Sequence, residues 1–81
     1  MSPKVPRDVS GKSLIKVLSK YGYTVSRQTG SHIRMSIIIE DSVKNITIPN
    51  HDPIKLGTLM SILNDVSSQL SIPKEGIISK L

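Results

Sequence analysis

The chain has 81 residues, 37% of them hydrophobic, and contains no cysteine, so it forms one small domain without disulfides or thiolate zinc sites. A domain of this size buries only about 60 to 65% of its unfolded surface, so we expect no deep internal cavity. The net charge is +5, no apolar run approaches the ~20 residues of a membrane span, and the first residues lack an apolar signal core, so we expect a soluble, cytoplasmic protein.

The positive charge is concentrated in the first part of the chain. Residues 1–34 carry a net charge of +6, and residues 35–81 carry −1. A basic surface favours a polyanionic partner, most simply nucleic acid, although a high isoelectric point in a small protein can equally serve solubility. From charge alone these two interpretations are evenly balanced.

A first helix is predicted over residues 11–21, after a lead in which residues 1–8 are expected to be flexible. Ser10 is a favourable N-cap, and the apolar residues recur on one side of the helix. Three lysines recur every four residues on the other side: Lys12, Lys16 and Lys20. Taken alone, this row is more simply a solvated helix face, and its functional alternative is a ridge that follows phosphates.

A first strand is predicted over residues 23–28. Simple alternation would set Tyr23, Val25 and Arg27 on one face and the intervening polar residues on the other. A Thr-Gly pair then turns the chain toward a second strand.

The second strand begins at His32 and has the period of two that is typical of a half-buried antiparallel strand. One face carries Ile33, Met35, Ile37 and Ile39, and the other carries His32, Arg34, Ser36 and Ile38. If the isoleucine face packs on helices, His32 and Arg34 must point to solvent.

The remaining elements complete one domain over residues 1–81. A break at residues 40–43 leads to a third strand near residues 44–48, and Pro49 ends it because proline has no amide donor. Short connections of this kind favour an antiparallel meander.

Two helices are predicted after the strands. A long amphipathic helix follows from Leu56 to residue 69 or 70, opened either by Asp52 with Pro53 or by Thr58. A short last helix packs through Ile77, Ile78 and Leu81. The residues expected to share one core are Leu14, Leu18, Ile33, Met35, Ile37, Ile46, Ile48, Leu59 and Leu63.

Three motifs occur in order along the chain. They are Tyr-Gly-Tyr-x-x-x-Arg-Gln-x-Gly-Ser-His from Tyr21, Ile-Thr-Ile-Pro-x-His from Ile46, and Lys-x-Gly-Thr-Leu-x-x-Ile-Leu from Lys55. In these motifs the chain, from about residue 9 to residue 78, resembles the HicA family of toxin ribonucleases. Departures are modest: residues 40–44 replace the glycine-containing strand turn usual in that family, and Ser67-Ser68 replaces a small Ala-Gly pair.

The resemblance carries definite expectations. It implies an α+β fold of order α-β-β-β-α, similar to a double-stranded-RNA-binding domain, with a three-stranded antiparallel sheet, helices on one face and a short extra C-terminal helix. It also implies a type II toxin that cleaves mRNA as a metal-independent endoribonuclease, without a cofactor, and that is neutralised by a HicB-like antitoxin. The catalytic histidine of the Gly-Ser-His motif corresponds to His32.

The same chemistry follows from the residues. Cutting RNA without a metal requires a group that takes or delivers a proton near neutral pH, and histidine does so unaided. The candidate RNA contacts are Lys12, Lys16, Lys20, Arg27, Gly30, Ser31 and Arg34, of which the arginines or an amide near Gly30 can stabilise transition-state charge. For His51 three roles stay open: a partner acid, a substrate contact or a loop cap.

Two other functional classes compete with the ribonuclease. One is a non-catalytic RNA-binding module in which the lysine row grips a duplex, and a weaker one is a protein-interaction domain with a basic face. Two histidines nineteen residues apart without cysteine match no zinc spacing, and no glycine-rich phosphate loop is present, so we expect neither a metal nor a nucleotide site.

Overall fold

The structure is a computed structural model that describes residues 5–81. Its elements in chain order are α1 (Gly11–Lys20), β1 (Thr24–Thr29), β2 (His32–Ile39), β3 (Ser42–Pro49), α2 (Leu56–Leu70) and α3 (Lys74–Ile78). The predicted α+β class and element order are confirmed. The expected flexibility of residues 1–8 falls partly on residues 1–4, which lie outside the described range, and stays a prediction.

The three strands form one antiparallel sheet in the order β1-β2-β3. Ile33 pairs with Ile48 and Met35 with Ile46, and all four are at most 6% exposed. Directly paired residues share a face, so this face is the one that the helices cover. Within residues 5–81 no helix covers the opposite face, as the alternation of the second strand predicted.

The connection between β2 and β3 is shorter than the sequence indicated. Only Glu40 and Asp41 form the turn, and both have positive φ, of 51° and 65°, as in the two-residue type I′ hairpin. Ser42 and Val43 already pair with β2, so the predicted break over residues 40–43 was too long. Backbone pairing does not require apolar side chains. Because the first residues of β3 lack an apolar alternation, the strand was predicted to begin too late.

The alternation predicted for β1 was wrong at Arg27. The register shifts between Val25 and Arg27, where a β-bulge adds one residue to the strand. Val25 pairs with Met35 on the helix side, whereas Arg27 pairs with Arg34 on the open side. The bulge therefore turns the Arg27 side chain to the face opposite the one shared by Tyr23 and Val25.

The helix starts differ in how their amides are satisfied. Ser10 caps α1 as predicted, and the Ser13 side chain returns the bond in a capping box. The N-cap of α2 is Lys55, which makes no side-chain capping bond. The prediction that Asp52 with Pro53, or Thr58, opens this helix was therefore wrong.

The core is one cluster that joins the sheet to all three helices. Eight of the nine residues predicted for the core are buried in it, and Ile37 packs against its edge half-buried. Ile62 and Ile54 are further buried members that the prediction did not include. The cluster contains Val9, Leu14, Val17, Leu18, Tyr23, Ile33, Met35, Ile46, Ile48, Ile54, Leu59, Ile62, Leu63, Val66, Ile77 and Ile78.

A buried tyrosine ties α2 to the sheet. The Tyr23 hydroxyl donates to Gln69 Oε1 at 2.7 Å, and Gln69 Nε2 donates to the Asn45 carbonyl of β3 at 3.0 Å. Burial, and secondarily the negative charge of Asp65, raise the pKa of Tyr23 above its ordinary value. Both effects favour the neutral hydroxyl that donates this bond.

Replacing Leu63 with Ala should lower the free energy of unfolding by about 2 to 5 kcal/mol, because the side chain is fully buried in the cluster. Leu56→Ala is the matched control, since Leu56 lies on the same helix but is 40% exposed. Urea denaturation measures both. A loss below about 0.5 kcal/mol for Leu63→Ala would contradict the packing of α2, since surface substitutions fall in that range.

Candidate functional site

His32 lies on the open face of the sheet at the first position of β2. Gly30, with φ of 58°, allows the tight turn that reverses the chain just before it. The cross-strand partners of His32 are Thr29 on β1 and Pro49 on β3. The His32 side chain is exposed, as predicted, and contributes nothing to the buried core.

Two arginines lie beside His32 on the same face. Arg27 and Arg34 are directly paired across β1 and β2, and both line a shallow depression with His32, Thr29 and Thr47. Like charges directly opposite each other destabilise a sheet. An anion between the two guanidinium groups would relieve that repulsion, so this part of the surface is suited to a phosphate.

The loop after β3 brings His51 to the same region. The Asn50 amide donates to the Ser31 carbonyl at 2.6 Å, and the Gly11 amide donates to the His51 carbonyl at 2.9 Å. These bonds tie the loop both to the turn before His32 and to the start of α1. An open pocket of about 380 Å³ results, lined by His32, Thr47, Pro49, His51, Lys55 and Thr58.

Gly11 is required where α1 meets this loop. A Cβ at this position would lie 2.6 Å from the Pro49 carbonyl oxygen and 2.9 Å from the Asn50 Cα. Both are backbone atoms, which cannot move aside as the end of a flexible side chain can. The position of His51 therefore depends on the absence of a side chain at Gly11.

The lysine row lies outside the two depressions that contain His32. Lys12, Lys16 and Lys20 are exposed on the side of α1 that faces away from the core, and α1 packs on the helix-covered face of the sheet. The structure thus brings together His32, Arg27, Arg34 and the Gly30-Ser31 turn, and the part that the lysines play in RNA binding stays a prediction.

Four polar residues that line these depressions were missed by the sequence-based prediction: Thr29, Thr47, Lys55 and Thr58. Lys55 and Thr58 belong to the Lys-x-Gly-Thr-Leu motif, so a signal for them was present. Thr47 belongs to the Ile-Thr-Ile-Pro-x-His motif and likewise had a signal. Thr29 had none, because pairing register alone places it next to His32.

Among residues 5–81, no three or more His, Cys, Asp or Glu side chains are close enough together to hold a metal ion. No helix in the same range is long and apolar enough to cross a membrane.

The family model described as the HicA toxin of bacterial toxin-antitoxin systems matches residues 11–67, which include His32, His51, Arg27 and Arg34. No curated protein and no solved structure matches the chain.

Gly11→Ala should displace the loop that carries His51 and destabilise the protein by about 1 to 3 kcal/mol, as overpacking does. Gly76→Ala is the matched control, because a Cβ on this α3 glycine meets nothing within 4 Å. In the control, the higher helix propensity of alanine should raise the free energy of unfolding by about 0.5 to 1 kcal/mol. Urea denaturation measures stability, and the imidazole NMR signals of His51 report displacement. Unchanged His51 signals in Gly11→Ala would show that this contact does not position the loop.

If Arg27 and Arg34 hold RNA phosphates, replacing both with Gln should flatten the dependence of affinity on salt. The expected change in slope is about 0.7 log unit per log unit of salt for each lost contact with a single strand. The same variant should be at least as stable as the wild type, because the like-charge pair is removed. Titrations of labelled RNA at several salt concentrations measure the slope.

Changing Lys12, Lys16 and Lys20 together to Gln provides the comparison. We expect a smaller effect per residue, since none of these side chains lines a depression that contains His32. A larger effect from the lysine variant would assign RNA binding to the helix side instead.

Proposed function

The chain belongs to the HicA toxin family of bacterial toxin–antitoxin systems, and from this premise we propose that it is a metal-independent endoribonuclease that cleaves mRNA with His32 as a catalytic residue. The single observation that carries the proposal is the position of His32. An exposed imidazole on an open sheet face lines a depression with two arginines that are cross-strand partners, in a region that the family match covers.

The proposed reaction uses the RNA's own 2′-hydroxyl as nucleophile. His32 moves a proton at the reacting phosphate, either from the attacking hydroxyl or to the leaving 5′-oxygen. Negative charge grows on the phosphorus oxygens in the transition state. Arg27 and Arg34, together with backbone amides of the Gly30-Ser31 turn, are suited to stabilise it.

The open geometry favours a flexible single strand as the substrate. The depression beside His32 is shallow and exposed, so the scissile phosphate has to be presented by the RNA rather than enclosed by the protein. Apart from Pro49 and the two histidines, the residues around it are threonines, arginines and a lysine, and no Phe, Tyr or Trp lines it. Contacts to phosphate and sugar therefore dominate over base stacking in this proposal.

Membership in a toxin–antitoxin family implies a cognate antitoxin, and we propose that it is HicB-like. The open face carries an exposed apolar pair at its far end, Ile38 and Val43, which are 73% and 60% exposed and lie directly opposite each other. A partner that binds this pair and extends along β2 to the other end of the same face would also cover His32. An adjacent reading frame for a small HicB-like protein would support this assignment.

His32→Ala should abolish cleavage while the fold remains intact. Losing a general acid or base lowers the rate by about a hundredfold or more. Stability should stay within about 1 kcal/mol of the wild type, because the side chain is exposed. Purified protein freed of antitoxin is incubated with RNA in excess EDTA between pH 5 and 8, and toxicity is measured on expression. Val43→Ala, at the far end of the same face, serves as the control and should cleave normally.

Equal cleavage by the wild type and His32→Ala would refute the catalytic role. No cleavage by the wild type, combined with salt-dependent RNA binding, would leave the non-catalytic RNA-binding module as the better account.

A further inference from the structure

His51 is held near His32 by backbone contacts alone. Its chain position is two residues beyond Pro49, the cross-strand partner of His32. Paired Cα atoms are about 5 Å apart and two residues span at most about 7 Å, so the two histidine Cα atoms lie within about 12 Å. Since each imidazole extends several ångströms from its Cα, one phosphodiester fits between them.

The His51 side chain has no structural duty that would explain its presence. The bond that fastens the loop uses the His51 carbonyl, which accepts from the Gly11 amide. Any residue at position 51 supplies that carbonyl. The side chain itself is exposed and lines the same pocket as His32 and Lys55.

We infer that His51 is a second catalytic residue, which forms a general acid–base pair with His32 across the scissile phosphate. This inference rests on the proposed ribonuclease function and deepens it. One imidazole, in its neutral form, takes the proton of the 2′-hydroxyl. The other, in its protonated form, delivers a proton to the leaving oxygen.

The reaction balances without a further reactant. The 2′-oxygen forms a bond to phosphorus while the bond from phosphorus to the 5′-oxygen breaks. One proton passes from the 2′-hydroxyl to the first imidazole, and one passes from the second imidazolium to the 5′-oxygen. The products are a 2′,3′-cyclic phosphate and a 5′-hydroxyl end, and the two histidines have exchanged protonation states.

Lys55 supplies a charge that this arrangement needs. Its side chain lines the pocket between β3 and the start of α2, and Arg34 lies on the other side of His32. Positive groups therefore flank the position of the phosphate from both directions. They would stabilise the negative charge that builds up as the 2′-oxygen attacks.

The first test is whether His51→Ala loses cleavage in excess EDTA as His32→Ala does. We expect a fall of about a hundredfold or more in kcat. Asp52→Glu, one residue further along the same exposed loop, keeps the local charge and should cleave normally. A residue that only holds substrate would instead raise KM with kcat unchanged, and that result would overturn the catalytic assignment.

The second test separates the two proton transfers. An RNA that the wild type cuts is synthesised with sulfur in place of the 5′-oxygen at the scissile bond. A thiol is far more acidic than an alcohol, so a thiolate leaves without receiving a proton. The variant that lacks the acid should regain near-wild-type cleavage on this substrate, and the variant that lacks the base should not.

Rescue of only one of the two variants, His32→Ala or His51→Ala, supports the pair and identifies the acid. Rescue of both or of neither overturns it. Loss of a general acid or base usually lowers the rate by about a hundredfold or more. If His51→Ala cuts ordinary RNA at a rate within about threefold of the wild type and His32→Ala does not cut it, this inference fails and the proposed function stands. If the wild type does not cut RNA, both fail together.

Discussion

One-sided burial of the three-stranded sheet is the constraint on which the rest of this molecule depends. The helices cover the face that carries Ile33, Met35, Ile46 and Ile48, and no element in the described part of the chain covers the other face. The side chains of β2 alternate without interruption between the two faces, so His32, next to Ile33, has to face solvent. In so small a domain little interior remains for a pocket, and chemistry must take place on the surface.

A second constraint is the meeting of three chain segments next to that surface. The start of α1, the end of β3 and the turn before His32 are joined by backbone hydrogen bonds from Gly11 and Asn50. Because main-chain atoms make these contacts, the side chains of the same segments remain free. This explains how a chain of 81 residues fixes the position of a loop without burying the residues that the loop presents.

The charges on the open face lower the stability of the protein when no partner is bound. The pairing of Arg27 with Arg34 is repulsive in the absence of an anion. The exposed Ile38 and Val43 at the other end of the face likewise gain nothing from the monomer's own packing. Both features are expected of a surface that evolved to be covered, by RNA in the proposed active form and by an antitoxin in the neutralised form.

The amino-acid sequence by itself determined the class of fold, the order of elements and most of the core. Periods of 3.6 and 2 report which face of each element is apolar, and burial of apolar faces is what drives folding. The exposure of His32 follows from the same alternation. The three spaced motifs were sufficient to predict the family, which the match to residues 11–67 confirms.

Only the tertiary structure decided which polar residues share a site. The β-bulge turns Arg27 to the face of His32, against the simple period, because an inserted residue reverses all side chains beyond it. The lysine row and the arginines are equally basic in the sequence, yet only the arginines line a depression with His32. His51 was ambiguous because a loop has no period, and its place near His32 depends on backbone contacts with Gly11 and Ser31 that no local pattern encodes.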